Sequence, residues 1–481
     1  METRAVIENI VWNYLWGMPL VLILLGTGLY LTIKSGFFQF RFVKAIFRET
    51  KNQLFKKSGE KDGDGMISPY QAMSMALGTT IGVGNIGGVA TAIAIGGPGA
   101  IFWMWMAGIF GMIIKMAEIT LAVHYRSNGI GDETFGGPTY YMKKGVGKQK
   151  GFNRFFKVLT ALFSLGFVIA IFINIQTYTV SEAVANTFNI NMMIVGVIYT
   201  LILYVMIGGG LKSLGKIASN IVPIMCILYI LAGLFIIGKN VAVLPDSIGM
   251  IFKSAFTGTA AFGGFAGATF AIAIKTGMSR SVFSNEAGWG SAPMIHASAK
   301  VDHPVKQGVL GVCEVFIDTF IVCTITALVI ITTGQWSSGL DGATLTLSAF
   351  ESGVGSFARI VLALATFLFG ITTSSGIYVQ IEVVLRYLLG ERPLKDKLLK
   401  LYKWIYPLPA LGFVYMSVYW GYEGSTLWLL SDITTALPIF ANIIALFILA
   451  PKFIELLNDY KARYLGLGKV NKKFKVFYED K

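Results

Sequence analysis

Four consecutive hydroxyls, Thr372, Thr373, Ser374 and Ser375, interrupt an otherwise apolar run of this 481-residue chain. A hard cation takes oxygen ligands, so a patch of this kind suits one. Isolated hydroxyls in membrane helices usually bond back to the preceding turn, but four in a row exceed that explanation. The second feature is GTTIGVGNIGG, Gly78 to Gly88, with five glycines among eleven residues and apolar sequence on both sides. Glycine inside a helix costs ~1 kcal/mol against alanine, so this spacing predicts a helix deliberately broken. Backbone freed inside a bilayer must find partners, and half-helix N–H groups facing an anion with carbonyls facing a cation supply them. Gly82 to Gly84 leave room for a carboxylate to approach the backbone. A glycine-lined packing face is the alternative, since Gly78/Gly82 and Gly84/Gly88 keep small-xxx-small spacing. Glu314 and Asp318 at i, i+4, together with Asp432, are intramembrane carboxylates and hence gating candidates; pairing with Lys115 or Arg280, or capping, is the plainer alternative. Gln176 is a mid-membrane amide suited to substrate contact or interhelical bonding. No zinc spacing, nucleophile elbow or phosphate loop occurs, so nothing points to an enzyme.

The elements that must position these residues are membrane spans. The chain is 54% hydrophobic and 14% charged, with mean hydropathy +0.65, whereas soluble proteins carry roughly 25% charge. Apolar runs of spanning length predict an all-α polytopic membrane protein with eleven spans. The first covers 11–33 and reads as a retained helix, followed by a basic interfacial segment with Arg41, Lys44, Arg48 and Lys51. Ten core spans follow at 66–95, 99–123, 155–180, 190–209, 217–238, 257–283, 307–333, 355–389, 402–420 and 425–450. The net charge of +14 collects in alternate loops and in the tail, while 334–358 holds no Lys or Arg at all. That pattern predicts a cell-membrane protein with its N-terminus outside and its C-terminus cytoplasmic. The second glycine-interrupted segment, AAFGGFAGAT at 260–269, stands five spans after the first. An odd number of spans per half reverses orientation, so the core reads as an inverted 5+5 repeat with discontinuous core helices one and six. The expected division is 1–65 (peripheral helix and interfacial segment), 66–240 and 241–450 (the two halves), and 451–481 (basic tail). Cys226, Cys313 and Cys323 all lie in apolar segments, so no disulfide framework is indicated.

Two stretches are more specific. GGPGAIFWMWMAGIFG (96–111) and SNEAGWGSAP (284–293) resemble the alanine/glycine:cation symporter family, and GGPTYYMKKGVG (136–147) and FIDTFIVCTITALVI (316–330) fit it too. The resemblance implies the leucine-transporter fold. GTTIGVGN is also similar to the GxxxGxGN motif of the neurotransmitter sodium symporters. By these resemblances Gly78 and Ile81 offer carbonyls to sodium, and Thr372 and Thr373, with Ser374 as a possible third ligand, complete its oxygens. Val83 and Gly84 offer amides to a substrate carboxylate, and Asn85 supplies a side-chain group at the break. The implied substrate contacts are Thr80, Gly82, Val83, Gly84, Asn85, Gln176, Phe262, Gly263, Phe265 and Ile377.

The expected function is a sodium-coupled symporter importing alanine, glycine or a similar small neutral amino acid, with no cofactor beyond the coupling ion and no nucleic-acid partner. A proton-coupled symporter using the intramembrane carboxylates is the alternative, and a non-transporting amino-acid receptor is a further one. One departure stands out. After the hydroxyl pair and Gly376 the family carries Trp, where this chain has Ile377. An indole is larger than a sec-butyl group, so the pocket gains room unless Phe262, Phe265 or Phe270 leans in.

Overall fold

The computed structural model describes residues 9–54, 66–128, 134–257, 270–422 and 424–479, and these are almost wholly helical. A peripheral helix α1 (Met18–Ser35) leads into the amphipathic α2 (Val43–Leu54). The glycine-interrupted span follows as α3 (Pro69–Thr80), a π-helical turn at Gly84–Gly88, and α4 (Val89–Gly96). Next come α5 (Ala100–His124), α6 (Phe155–Ala170), α7 (Ile175–Phe188), α8 (Met192–Gly208) and α9 (Gly210–Lys239). The second half contains α10 (Leu244–Thr257), α11 (Phe270–Asn285) and α12 (Pro304–Val315), the last prolonged by a π-helical stretch, Phe316–Cys323, into α13 (Thr324–Thr332). It ends with α14 (Gly342–Val354), α15 (Ser356–Leu389), α16 (Lys395–Ile405), α17 (Pro407–Trp420) and α18 (Gly424–Tyr464).

Among the described residues seven helical stretches are long and apolar enough to cross a membrane, with α6–α7 and α12–α13 counted as one each, and α3 with Gly84–Gly96 makes an eighth span bent by 43°. Two other expected spans are shorter here, α8 with 17 residues and α17 with 14, and core span six is described only from Phe270 onward, as α11. The second glycine-rich interruption falls at 258–269, outside the described residues. α5 lies at the centre of the molecule, buried almost continuously from Gly111 to His124, and packs against α12, α11 and α1.

Two elements differ from the sequence expectation. Core span three is not one helix ending at 180. It stops at Ala170, turns through Ile171–Asn174, and resumes as α7 to Phe188. Asn174 causes the restart: its backbone is extended and its Oδ1 accepts from Gln176 N–H at 3.1 Å, an N-cap inside an apolar run. The stretch between spans seven and eight is not merely a loop either. It holds α14, whose Asp341 N-cap and buried Leu345, Leu347 and Phe350 fold it onto the core.

Candidate functional site

The glycine-interrupted span is opened by a capping box. Ser68 Oγ accepts from Gln71 N–H at 3.2 Å, Gln71 Oε1 accepts from Ser68 N–H at 3.0 Å, and Pro69 occupies the first turn, where its missing N–H costs nothing. α3 ends because Ile81 is extended (φ −80°, ψ 97°). The last helical turn before that end brings the Gly78 carbonyl against α15. Thr372 Oγ1 lies 3.2 Å and Thr373 Oγ1 2.9 Å from Gly78 O. Both hydroxyls also reach carbonyls of their own helix: Thr372 those of Leu368 and Phe369, each at 3.0 Å, and Thr373 that of Phe369 at 2.8 Å. A hydroxyl has one proton, so each can donate to one carbonyl at a time and keeps lone pairs for a cation. Three oxygens from two helices thus converge in a buried place, the donor set a hard cation prefers.

Beyond the break, Asn85 takes over the support. Its Oδ1 accepts from Gly82 N–H at 2.8 Å, and its Nδ2 donates to Asp318 Oδ1 at 2.7 Å. Gly82 has to be glycine here, since a Cβ would stand 2.6 Å from Thr373 Oγ1. Val83 and Gly84 begin the next helical segment, and Gly84 faces Phe283 and Ser284 at the end of α11. Asp318 is fully buried and also accepts from Ser284 Oγ at 2.9 and 3.2 Å and from Thr319 Oγ1 at 3.0 Å. Among the described residues it forms no ion pair. The π-helical turn frees the Ile86 carbonyl from ordinary helix geometry, and Thr346 of α14 donates to it at 2.7 Å.

The structure brings Gly78, Gly82, Asn85, Thr372 and Thr373 together, and Ile81 and Val83 lie buried between them. Ser374 points elsewhere: its Oγ lies 2.7 Å from Tyr199 OH and 3.3 Å from Asn174 Nδ2, one residue being about 100° of helix rotation. Thr80 bonds back to Ala76 O at 3.1 Å and Leu77 O at 3.3 Å. Gln176 sits buried in the first turn of α7, with its Oε1 accepting no hydrogen bond among the described residues. Ile377 is buried on α15, while the next residue, Tyr378, turns away to stack on Tyr402 with ring centroids 5.0 Å apart. Phe262, Gly263 and Phe265 lie outside the described residues.

The three gating candidates separate. Asp318 adjoins the break, whereas Glu314 pairs with Lys115 at 3.2 Å and with His296 at 2.8 Å, all three buried. Asp432 receives both guanidinium nitrogens of Arg280, at 3.1 and 2.8 Å. Glu314 and Asp432 therefore take the partners that the plainer alternative names. Stranding one member of a buried pair is costly, so Arg280→Met is expected to destabilise the protein by about 3–5 kcal/mol. Arg280→Met/Asp432→Leu should recover most of that loss. Thermal unfolding in detergent measures both, and equal stability of the single and double variants would contradict this account of the pair.

Sequence reasoning missed Asn174, Tyr199, Tyr406 and Thr346. Asn174 Nδ2 donates to Tyr406 OH at 3.1 Å, and Tyr406 OH donates to the Ser374 carbonyl at 2.6 Å. The available signal was Asn174 itself, an amide in an apolar run two residues before Gln176.

Comparison with known proteins adds to this geometry. A model of the family described as "Sodium:alanine symporter family" matches residues 1–475. An uncharacterized transporter of Haemophilus influenzae is 40% identical over 459 residues, 94% of this chain and 95% of that one. The sodium/alanine symporter AgcS of Methanococcus maripaludis is 37% identical over 448 residues, 92% and 94% of the two chains. Among solved structures, Mhp1, a nucleobase-cation-symport-1 family transporter, aligns over 84% of this chain and 81% of its own with a TM-score of 0.50. At 12% identity that likeness shows a shared fold, a leucine-transporter-type helical arrangement, and nothing more.

Proposed function

The chain belongs to the sodium:alanine symporter family, a family of multi-pass membrane transporters and not of enzymes, and from that premise we propose that it couples the entry of a small neutral amino acid to sodium. The observation that carries this reading is the convergence of Gly78 O, Thr372 Oγ1 and Thr373 Oγ1 at a broken helix. Sodium would be held by those oxygens, with Ile81 as a further carbonyl donor. The amino acid's carboxylate would meet the N–H groups of Val83 and Gly84, at the positive end of the helix they open. The cell membrane is its place, with the N-terminus outside, the C-terminus cytoplasmic and 66–240 and 241–450 as inverted halves. Alanine and glycine are the first candidates, AgcS being named for alanine. One sodium ion entering down ~100 mV gains ~2.3 kcal/mol. A tenfold sodium gradient adds about 1.4 kcal/mol, so a zwitterion could be concentrated about several-hundredfold. The direct test is calorimetry of alanine binding to the purified protein. Heat in sodium and none in choline supports the reading, and equal binding in both overturns it.

Proton coupling is the second reading, and Asp318 favours it. A fully buried carboxylate bonded to Asn85, with no ion pair among the described residues, is a group that a proton could neutralise.

The Ile377 position sets a prediction for substrate size. Phe270 is removed as a filler of the pocket, because it is 44% exposed and packs edge-on against Trp103 with centroids 5.7 Å apart. Room beside Ile377 should admit serine, 2-aminobutyrate or valine, each added methylene that finds apolar walls gaining about fourfold in affinity. Ile377→Trp should return the optimum to alanine. A competition series from glycine to leucine measures this, and an optimum at alanine in both proteins would contradict it.

A further inference from the structure

Glu286 carries two energetic burdens at once. It is 1% exposed, and its φ of +58° puts a non-glycine residue in the left-handed region. Among the described residues no ion pair balances its carboxylate. Such a residue persists only where its surroundings hold it, and the holders here are informative. Glu286 Oε2 accepts from Ser291 Oγ at 2.5 Å and from Thr79 Oγ1 at 3.3 Å. Thr79 also reaches Ala76 O at 2.8 Å, within its own helix, so its one proton is shared between that carbonyl and Glu286. It directly follows Gly78, whose carbonyl faces Thr372 and Thr373. The methyl of Thr79 packs on α15 at Gly376, where a Cβ would stand 2.0 Å from Thr79 Cγ2. Thr79 therefore touches Glu286 through its hydroxyl and α15 through its methyl.

The other end of α3 is fastened to the same segment. Met66 N–H and Ile67 N–H donate to Ser298 O at 2.8 and 3.3 Å, and Lys300 N–H donates to Ile67 O at 2.9 Å, a parallel bridge between Ile67 and Ala299. The half-helix is thus tied at both ends to residues 286–300. Its seam with α15 is held by the Gly78 oxygens and by the close approach at Gly376.

We propose that Glu286 is a positioning residue for the cation site. Through Thr79 it sets α3 so that the Gly78 carbonyl meets Thr372 and Thr373, and α3 moves with residues 286–299 as one piece, a gate beside the cation site. When sodium leaves, the seam at Gly78 and Gly376 opens while the Ile67–Ala299 bridge stays closed. This rests on the sodium reading above for the identity of the ion.

Two measurements on the full-length protein test it. In the first, Thr79→Val and Glu286→Ala should raise the half-saturating sodium concentration for alanine uptake about tenfold, as loss of a bond to a charged group does. Alanine affinity at saturating sodium should stay within about twofold in the same variants. Glu286→Gln keeps an acceptor oxygen and should lie nearer to wild type than Glu286→Ala. Unchanged sodium dependence in Thr79→Val, or a fall in maximal rate alone, overturns the positioning role. In the second, Ile67→Cys/Ala299→Cys is oxidised and transport is followed. Retained transport supports a gate that moves as one piece. Transport lost on oxidation and restored by reduction overturns it, as does failure of the pair to cross-link. If uptake by the unmodified protein ignores sodium, the sodium reading fails, while the cross-linking result still decides whether the gate moves whole.

Discussion

Replacing Gly82 by alanine is expected to abolish sodium-driven alanine uptake, a loss of at least about a hundredfold, or ~2.7 kcal/mol. The new Cβ would stand 2.6 Å from Thr373 Oγ1, far inside van der Waals contact. Relief requires the Thr373 hydroxyl to leave the Gly78 carbonyl or the break to shift away from α15. Either movement removes an oxygen from the proposed cation site, and the second also disturbs the 2.8 Å bond from Gly82 N–H to Asn85 Oδ1. Gly412→Ala serves as the control, because a Cβ there meets nothing within 4 Å. Uptake and the amount of protein in the membrane are measured together. Wild-type uptake by Gly82→Ala at normal abundance would show that the break lies away from the path of substrate and ion.

The second large effect is expected at the hydroxyl pair. Thr372→Val/Thr373→Val keeps shape nearly constant and removes both side-chain oxygens facing Gly78 O. Each contact of a charged group with a polar one contributes about 1.5–3 kcal/mol. The half-saturating sodium concentration should therefore rise by about a hundredfold or more. Ser374→Ala should change it little, since Ser374 Oγ bonds Tyr199 and Asn174 instead. Sodium titration of uptake in both variants decides the matter. A double variant that titrates as the parent does would remove the pair from the proposed cation site.

Much of this was legible in the sequence because glycine and hydroxyl residues are expensive or conspicuous in lipid. The break at Ile81–Val83 followed from glycine spacing, and the Thr372/Thr373 pair from its rarity in an apolar helix. Ser374 shows the limit of that reasoning, because composition gives a run of hydroxyls but only helix rotation decides which of them face α3. The interruption before α7 was hidden for a related reason. Ile171 to Ile175 is apolar enough to pass for helix, and one Asn174 side chain supplies the cap that restarts it. α14 was hidden by the absence of Lys and Arg around it, which reads as an outer loop, although Thr346 reaches the Ile86 carbonyl from there. Glu286 lay inside a recognisable motif, yet neither its left-handed backbone nor its contact with Thr79, 207 residues away, has any local signature.

We propose that sodium, bound at Gly78, Thr372 and Thr373, drives amino-acid accumulation. This is tested most directly with the purified protein in sealed liposomes loaded without sodium. Imposing an inward sodium gradient at equal pH on both sides should accumulate labelled alanine inside above its external concentration, and a sodium ionophore should collapse that accumulation. A proton gradient imposed without sodium should accumulate none. Accumulation that follows the proton gradient and ignores sodium would contradict the claim and transfer the coupling to Asp318.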